Sequence, residues 1–360
     1  MQASARLTSR PTRRRRAATV ALVAALALAA CGGGGDGDGT SGAGDDAGAG
    51  ASGFPVEIEH KYGTTTIDAA PERVVTVGLT DQDAVLALGT VPVGTNEWFE
   101  SFEGAIGPWA TDELEAAGGE LPELVGDTQG INFEQVAALH PDLILGVYSG
   151  LTDSEYQTLS EIAPTVAQPG DHPDWGVPWD EQTRIIGRAL GPPEQADDLV
   201  ADVQGRLDDA AEAHPEFADA VGAVATVWDG SVTVYTSDDV RGRFLDSLGF
   251  GQVEGLEQYS DDGFSATISE ERLDLIDVDA IVWIVNSAED DMPRIREDPI
   301  YARLGLTDEG REVPVENDAE LGAATSFQTV LSLPSLVDGL VPMLAAAVDG
   351  DPATAVEQPA

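Results

Sequence analysis

Two glutamates, Glu134 and Glu271, stand in matching surroundings at an offset of 137 residues. Asn132 and Ser269 precede them as helix caps, Val136 and Leu273, then Leu139 and Ile276, repeat the apolar positions, and Asp142 and Asp279 lead into strands. A carboxylate in the first turn of a short helix is favoured by the helix dipole and stays exposed. The pair is therefore one of matched surface acids, with Glu270 adjacent to the second. Nothing comparable supports catalysis, because neither a GxSxG elbow nor an HExxH pair occurs. His60, His140, His172 and His214 are scattered without paired metal-ligand spacing, and one cysteine excludes both an internal disulfide and a multi-cysteine cluster. No catalytic residue, bound metal or cofactor is expected, and Glu289-Asp290-Asp291 reads as a solvated loop.

Ligand chemistry is better served by aromatic groups and arginines. Trp98, Trp109, Tyr148, Trp175, Trp228 and Tyr235 fall in or beside loops at strand ends or in weakly periodic stretches, where their rings suit bulky, planar or catecholate-bearing ligands. Arg241 and Arg243 open a helix, a position the dipole does not favour for a cation, so a second purpose is expected. Being two apart they face differently, and at most one of them points toward a ligand.

Charge excludes one class of partner. The residues after Cys31 carry all 65 acids but only 12 of the 18 bases, a formal charge of −53. So strong a negative field repels nucleic acid.

The first residues form an address. Arg13 to Arg16 make a basic region, Ala17 to Ala30 a short apolar one, and Leu28-Ala29-Ala30-Cys31 resembles the bacterial lipoprotein processing box. Cys31 then becomes the lipid-attached mature N-terminus. The general secretory route fits better than twin-arginine export, because Ala17-Ala18 is not a bulky apolar pair. Residues 32–53 are a Gly/Asp-rich tether with a span of roughly 25 Å. Its GxGxxG match at Gly37 has no strand before it, and its calcium-loop start at Asp36 lacks the closing glutamate.

These groups are positioned by an alternation of strands and helices, which implies a mainly parallel sheet. Arg73 to Gly78, Val91 to Gly94 and Leu143 to Val147 read as strands, with helices over Asp81 to Leu88 and from Asn132 to Pro141. The order then repeats, with strands at Val221 to Trp228, Ser231 to Tyr235 and Ala280 to Val285, and helices at Arg241 to Leu248 and from a cap at Ser269. Between the halves, Trp179 to Leu190 and a run to His214 have helical spacing, and Pro334 to Val348 closes the chain. The expected fold is α/β: two Rossmann-like lobes with mainly parallel sheets, joined by a single long interlobe helix. The divisions are 54–177, 178–214 and 215–350, with a tail at 351–360.

The succession PERVVTVG, DAVLALGTVPVG, FEQVAALHPDLILG, GRFLDSLGF, ISEERLDLIDVDAIVW and LSLPSLVDGLVPML resembles the substrate-binding lipoproteins of bacterial iron-siderophore import systems. The resemblance spans about residues 54 to 350. It implies a monomer, anchored by lipid to the outer face of the cell membrane, that closes around a ferric siderophore and delivers it to an ABC permease with its own ATPase. The same resemblance leaves cobalamin or haem as alternative ligands, and a lipid-anchored extracytoplasmic enzyme as the alternative class. It implies that Glu134 and Glu271 meet arginines of the permease.

Overall fold

The computed structural model describes residues 53–97, 102–127, 129–228, 230–261, 263–351, 353–354 and 356. The signal segment, Cys31, the tether as far as Ser52, and Trp98 lie outside them.

An antiparallel hairpin, β1 (Val56–His60) with β2 (Gly63–Ile67), leads into β3 (Val74–Thr76), whose three residues are all buried. A strand covered on both faces needs an unbroken apolar run, which Val-Val-Thr supplies. Next come α1 (Asp81–Ala87), β4 (Gly94–Asn96), α2 (Thr111–Ala117), β5 (Glu123–Asp127), β6 (Gly130–Ile131), α3 (Phe133–Ala138) and β7 (Leu143–Leu145). The lobe ends with α4 (Asp153–Ser160) and β8 (Thr165–Val166). The sheet order is β6-β5-β4-β3-β7-β8, parallel except for the edge strand β6. The strand expected at Val91 to Gly94 starts later, at Gly94. Pro92 has no N–H to give a ladder, so pairing begins with the Val93 amide on the Val74 carbonyl.

Two helices follow, α5 (Trp179–Leu190) and α6 (Pro193–Ala213), broken by Gly191 in the left-handed region (φ 103°). At about 1.5 Å per residue, α6 is a rod about 30 Å long. It packs on α5 at one end and on elements of the second half at the other.

The second lobe has β9 (Gly222–Trp228), β10 (Ser231–Tyr235), α7 (Val240–Ser247), β11 (Ser265–Ile268), β12 (Ala280–Val285), α8 (Ala288–Arg296), β13 (Glu312–Glu316) and α9 (Glu320–Ser326). Helix α10 (Ser332–Val348) closes it. Its sheet order is β11-β10-β9-β12-β13. β9, β12 and β13 are parallel, while β10 pairs antiparallel with both β9 and β11.

Two expectations are corrected here. The segment after Ser269 is not a capped α-helix but a 3-10 stretch, Glu270–Ile276, interrupted at Arg272 and without a side-chain cap bond. The acidic run Glu289 to Asp291 is not a loop. It forms the first turn of α8, where the dipole favours carboxylates, and Ser287 caps it by accepting the Asp290 amide at 3.3 Å.

The matched aspartates do equal work. Asp142 accepts the backbone N–H groups of Glu72 and Arg73 at 2.8 and 2.9 Å, and Asp279 accepts that of Val221 at 2.8 Å. Each aspartate thereby fixes the start of the neighbouring strand. One hydrophobic cluster runs through both lobes, from Val74, Val85 and Leu145 through Ile186 and Leu207 to Val224, Val282 and Leu340.

Candidate ligand-binding site

Helix α1 starts just beyond β3, and its first residue is fully buried. Asp81 accepts the Val147 and Tyr148 amides at 2.7 and 2.9 Å and the Gln182 side-chain amide at 2.7 Å. Its carboxylate folds over Gly78, where a Cβ would collide with it. Burial raises the Asp81 pKa, and these three donors oppose the rise. The result is a fixed backbone at the carboxyl end of β7, from which Tyr148 projects.

Tyr148 meets Trp175 edge-on, with ring centroids 6.0 Å apart at 70°. Trp175 holds a left-handed backbone (φ 64°) and donates its N–H to the Ser149 carbonyl at 3.1 Å. Its indole lies against Gly150, where a Cβ would sit 2.6 Å from Nε1. The glycine is therefore required by the ring, which remains 41% exposed.

The opposing groups come from α7. Asp239 caps this helix by accepting the Arg241 amide at 2.9 Å. Gly242 lets the helix abut the Thr236 carbonyl, a contact that any side chain would block. The Arg241 guanidinium donates from Nη1 to both Asp239 oxygens, at 2.9 and 3.0 Å, and lies 4.1 Å from the Tyr235 ring centre. Its Nε is buried and has no hydrogen-bond partner. Arg243 points elsewhere. Its Nη2 donates to the carbonyls of Gly176, at 2.9 Å in the first lobe, and Asp238, at 2.6 Å, which ties the lobes together.

The Tyr148 hydroxyl feels charges from the second lobe. Burial pushes its pKa up to about 12, the Asp239 charge adds to the rise, and Arg241 and Arg243 counter it. It therefore remains a neutral hydrogen-bonding group at physiological pH.

A cavity of about 870 Å³ opens beside this junction on the second lobe. Trp228, Tyr235, Arg241, Asn286, Arg294 and Asn317 line it, and Trp228 is 77% exposed. Ligand sites are commonly concave spaces of about 300–1,000 Å³ with a few placed polar groups. Trp109 belongs to a different place. Its indole N–H bonds Asp83 at 2.7 Å, and Asp83 also accepts the Thr329 hydroxyl at 2.6 Å, a second tie between distant parts of the chain.

Glu134 and Glu271 are both exposed. Asn132 caps the helix of Glu134 by accepting the Gln135 amide at 3.2 Å, and Arg73 bonds the Leu139 and His140 carbonyls at its other end. The settings nevertheless differ. Glu271 and Glu270 form part of the cavity wall, whereas Glu134 borders a separate open depression with Asp127, Ile131 and Phe133.

The periplasmic binding protein family matches residues 74–311. The chain belongs to this family. A curated relative, the probable siderophore-binding lipoprotein YfiY of Bacillus subtilis, is 27% identical over 240 residues, covering 64% of this chain and 69% of its own. A periplasmic solute binding protein of Mycobacterium smegmatis superposes with a TM-score of 0.72 at 33% identity, covering 81% of this chain and 98% of that one. PiaA of Streptococcus pneumoniae, solved with ferrichrome, gives 0.72 at 28% identity, covering 82% and 99%.

Members of the periplasmic binding protein family are extracytoplasmic binding proteins, and among the described residues no helix is long and apolar enough to cross a membrane. The family's two-lobe α/β architecture is the one described above. Sequence reasoning had not singled out Arg294 or Asn317. Asn317 follows β13 directly, so the rule that ligand contacts gather at strand carboxyl ends would have found it. Arg294 carries no such signal, because the acidic run Glu289 to Asp291 before it reads as a loop.

Proposed function

We propose that this protein is an extracytoplasmic lipoprotein that captures a ferric siderophore between its lobes and delivers it to an ABC importer for iron uptake. The supporting observation is the convergence of Tyr148 and Trp175 from one lobe with Tyr235 and Arg241 from the other, beside a cavity of suitable size. Aromatic faces stack on planar or catecholate groups, and the Arg241 guanidinium, which lines the cavity, offers N–H donors to an anionic ligand. The printed names of YfiY and PiaA agree with this ligand class. Trp228 and Trp98 complete the proposed aromatic contacts, Trp109 braces Asp83, and Arg243 holds the two lobes in register.

Cys31 carries the lipid, and the tether after it lets a monomer reach the permease. Glu134 and Glu271 receive arginines of that permease, whose ATPase supplies the energy. A ligand that contacts both lobes prefers the closed arrangement, so filling the cleft selects the conformation that docks.

Titration of tryptophan fluorescence with a panel of ferric siderophores, cobalamin and haem tests the reading. Saturable quenching by at least one ferric siderophore is expected. Quenching by cobalamin or haem alone, or by no member of the panel, overturns it.

A further inference from the structure

Away from the cleft, Asp171, His172 and Glu181 bring one ligand atom each to within 4.8 Å of the others. His172 Nε2 already lies 2.8 Å from Glu181 Oε2. We propose that this trio is a surface site for a borderline divalent cation, with zinc as its probe.

The donor set favours that class. One imidazole nitrogen and two carboxylate oxygens are ordinary zinc ligands, and three protein ligands leave a position for water. In a tetrahedral site with bonds of about 2.0–2.1 Å, ligand atoms are roughly 3.3 Å apart. The trio therefore needs only small side-chain rotations to close on an ion, and its exposed or half-buried side chains are free to make them. Neighbouring charges are already committed. Asp174 is held by Lys61 at 2.6 Å and by Gln168 at 3.0 Å, and Asp180 by Arg184 at 2.5 Å. Asp171 has no hydrogen-bond or ion-pair partner among the described residues. The net charge of the chain attracts cations as well.

The position gives the site a consequence. Asp171 and His172 belong to the loop that leads to Trp175, while Glu181 lies in the first turn of α5. A bound cation clips that loop to the helix and stiffens the support of the Trp175 ring.

Calorimetric titration of the protein with zinc chloride at pH 7.5 tests the proposal without any siderophore, and so separately from the function proposed above. One saturable site is expected, weakened at least about tenfold by His172→Ala and by Glu181→Gln, since even outer-shell changes cost that much. His214→Ala, which removes a histidine paired with only one carboxylate, is the control and should bind zinc as the parent does. The proposal is overturned by no saturable binding, by equal binding in the His172 and Glu181 variants, or by loss only in the His214 variant. Circular dichroism of each variant separates lost binding from lost folding.

Discussion

Asp142 and Asp279 fasten the same point of two different sheets: each takes a backbone N–H from the residue just before the strand that its own strand flanks. The acceptor also bonds back through its amide, Asp142 to the Arg73 carbonyl at 3.0 Å and Asp279 to that of Val221 at 2.9 Å. Asp142→Ala and Asp279→Ala should each destabilise the protein by about 0.5–1.5 kcal/mol per lost hydrogen bond, the usual net contribution of one. Urea unfolding of the two variants checks this, and the double variant should be near-additive because the sites lie in separate lobes.

Asp83 carries a different expectation. It is fully buried, its Oδ1 has no partner, and the same is true of Glu113 Oε2. Burial raises its pKa from 3.8 to about 6, the Thr329 and Trp109 hydrogen bonds oppose the rise, and the Glu113 charge adds to it. A folded-state value above the unfolded one means that the native state binds the proton more tightly. The stability that Asp83 contributes is therefore fullest below about pH 4 and is lost through about pH 6, by a total of about 3 kcal/mol. Asp83→Asn keeps an acceptor for Thr329 and Trp109 and removes the charge. It should flatten the decline and raise the melting temperature at pH 7.5, and an unchanged slope between pH 4 and 6 would rule Asp83 out as its source.

Arg241→Gln should weaken siderophore binding by about tenfold or more, because it removes the charge beside Tyr235. Arg243→Gln should act differently. Its bond to Gly176 holds the lobes, so the expected change is in thermal stability and in the affinity for any ligand spanning the cleft. Fluorescence titrations and melting curves on both variants distinguish these roles.

Replacing Glu134 by Ala should reduce siderophore uptake by cells while changing ligand affinity by less than about threefold, since an exposed carboxylate away from the cavity contributes little to ligand contact, whereas Glu271→Ala, on the cavity wall, should change both. A collapse of ligand binding in Glu134→Ala alone would remove that residue from docking, because it borders no part of the cavity.

Much of this architecture could be read from the chain because the informative patterns were local. Ser231 to Tyr235 and Ala280 to Val285 form strands with the expected limits, and the spacing of Val200, Val203 and Leu207 describes the buried stripe of α6. The matched aspartates were visible as an offset, although their bonds to backbone amides were not. Other features depend on tertiary packing. Helix α8 was hidden by its acidic first turn and by Pro293. Tyr148 and Arg241 become neighbours only when the lobes assemble around their shared core, and no periodicity encodes that approach. The missing cap at Ser269 was equally invisible, since an α-helical start and a 3-10 start share the same residue preferences.

The unequal settings of the two surface glutamates have a thermodynamic consequence. Glu271 and Arg241 border one cavity, so under the docking proposed above a pull on that carboxylate would be linked to the ligand, and by reciprocity the ligand would alter how the carboxylate is presented. Glu134, on its own capped helix beside a separate depression, is insulated from both effects. Under the proposed docking, a membrane partner reading the two together would obtain orientation from one lobe and occupancy from the other.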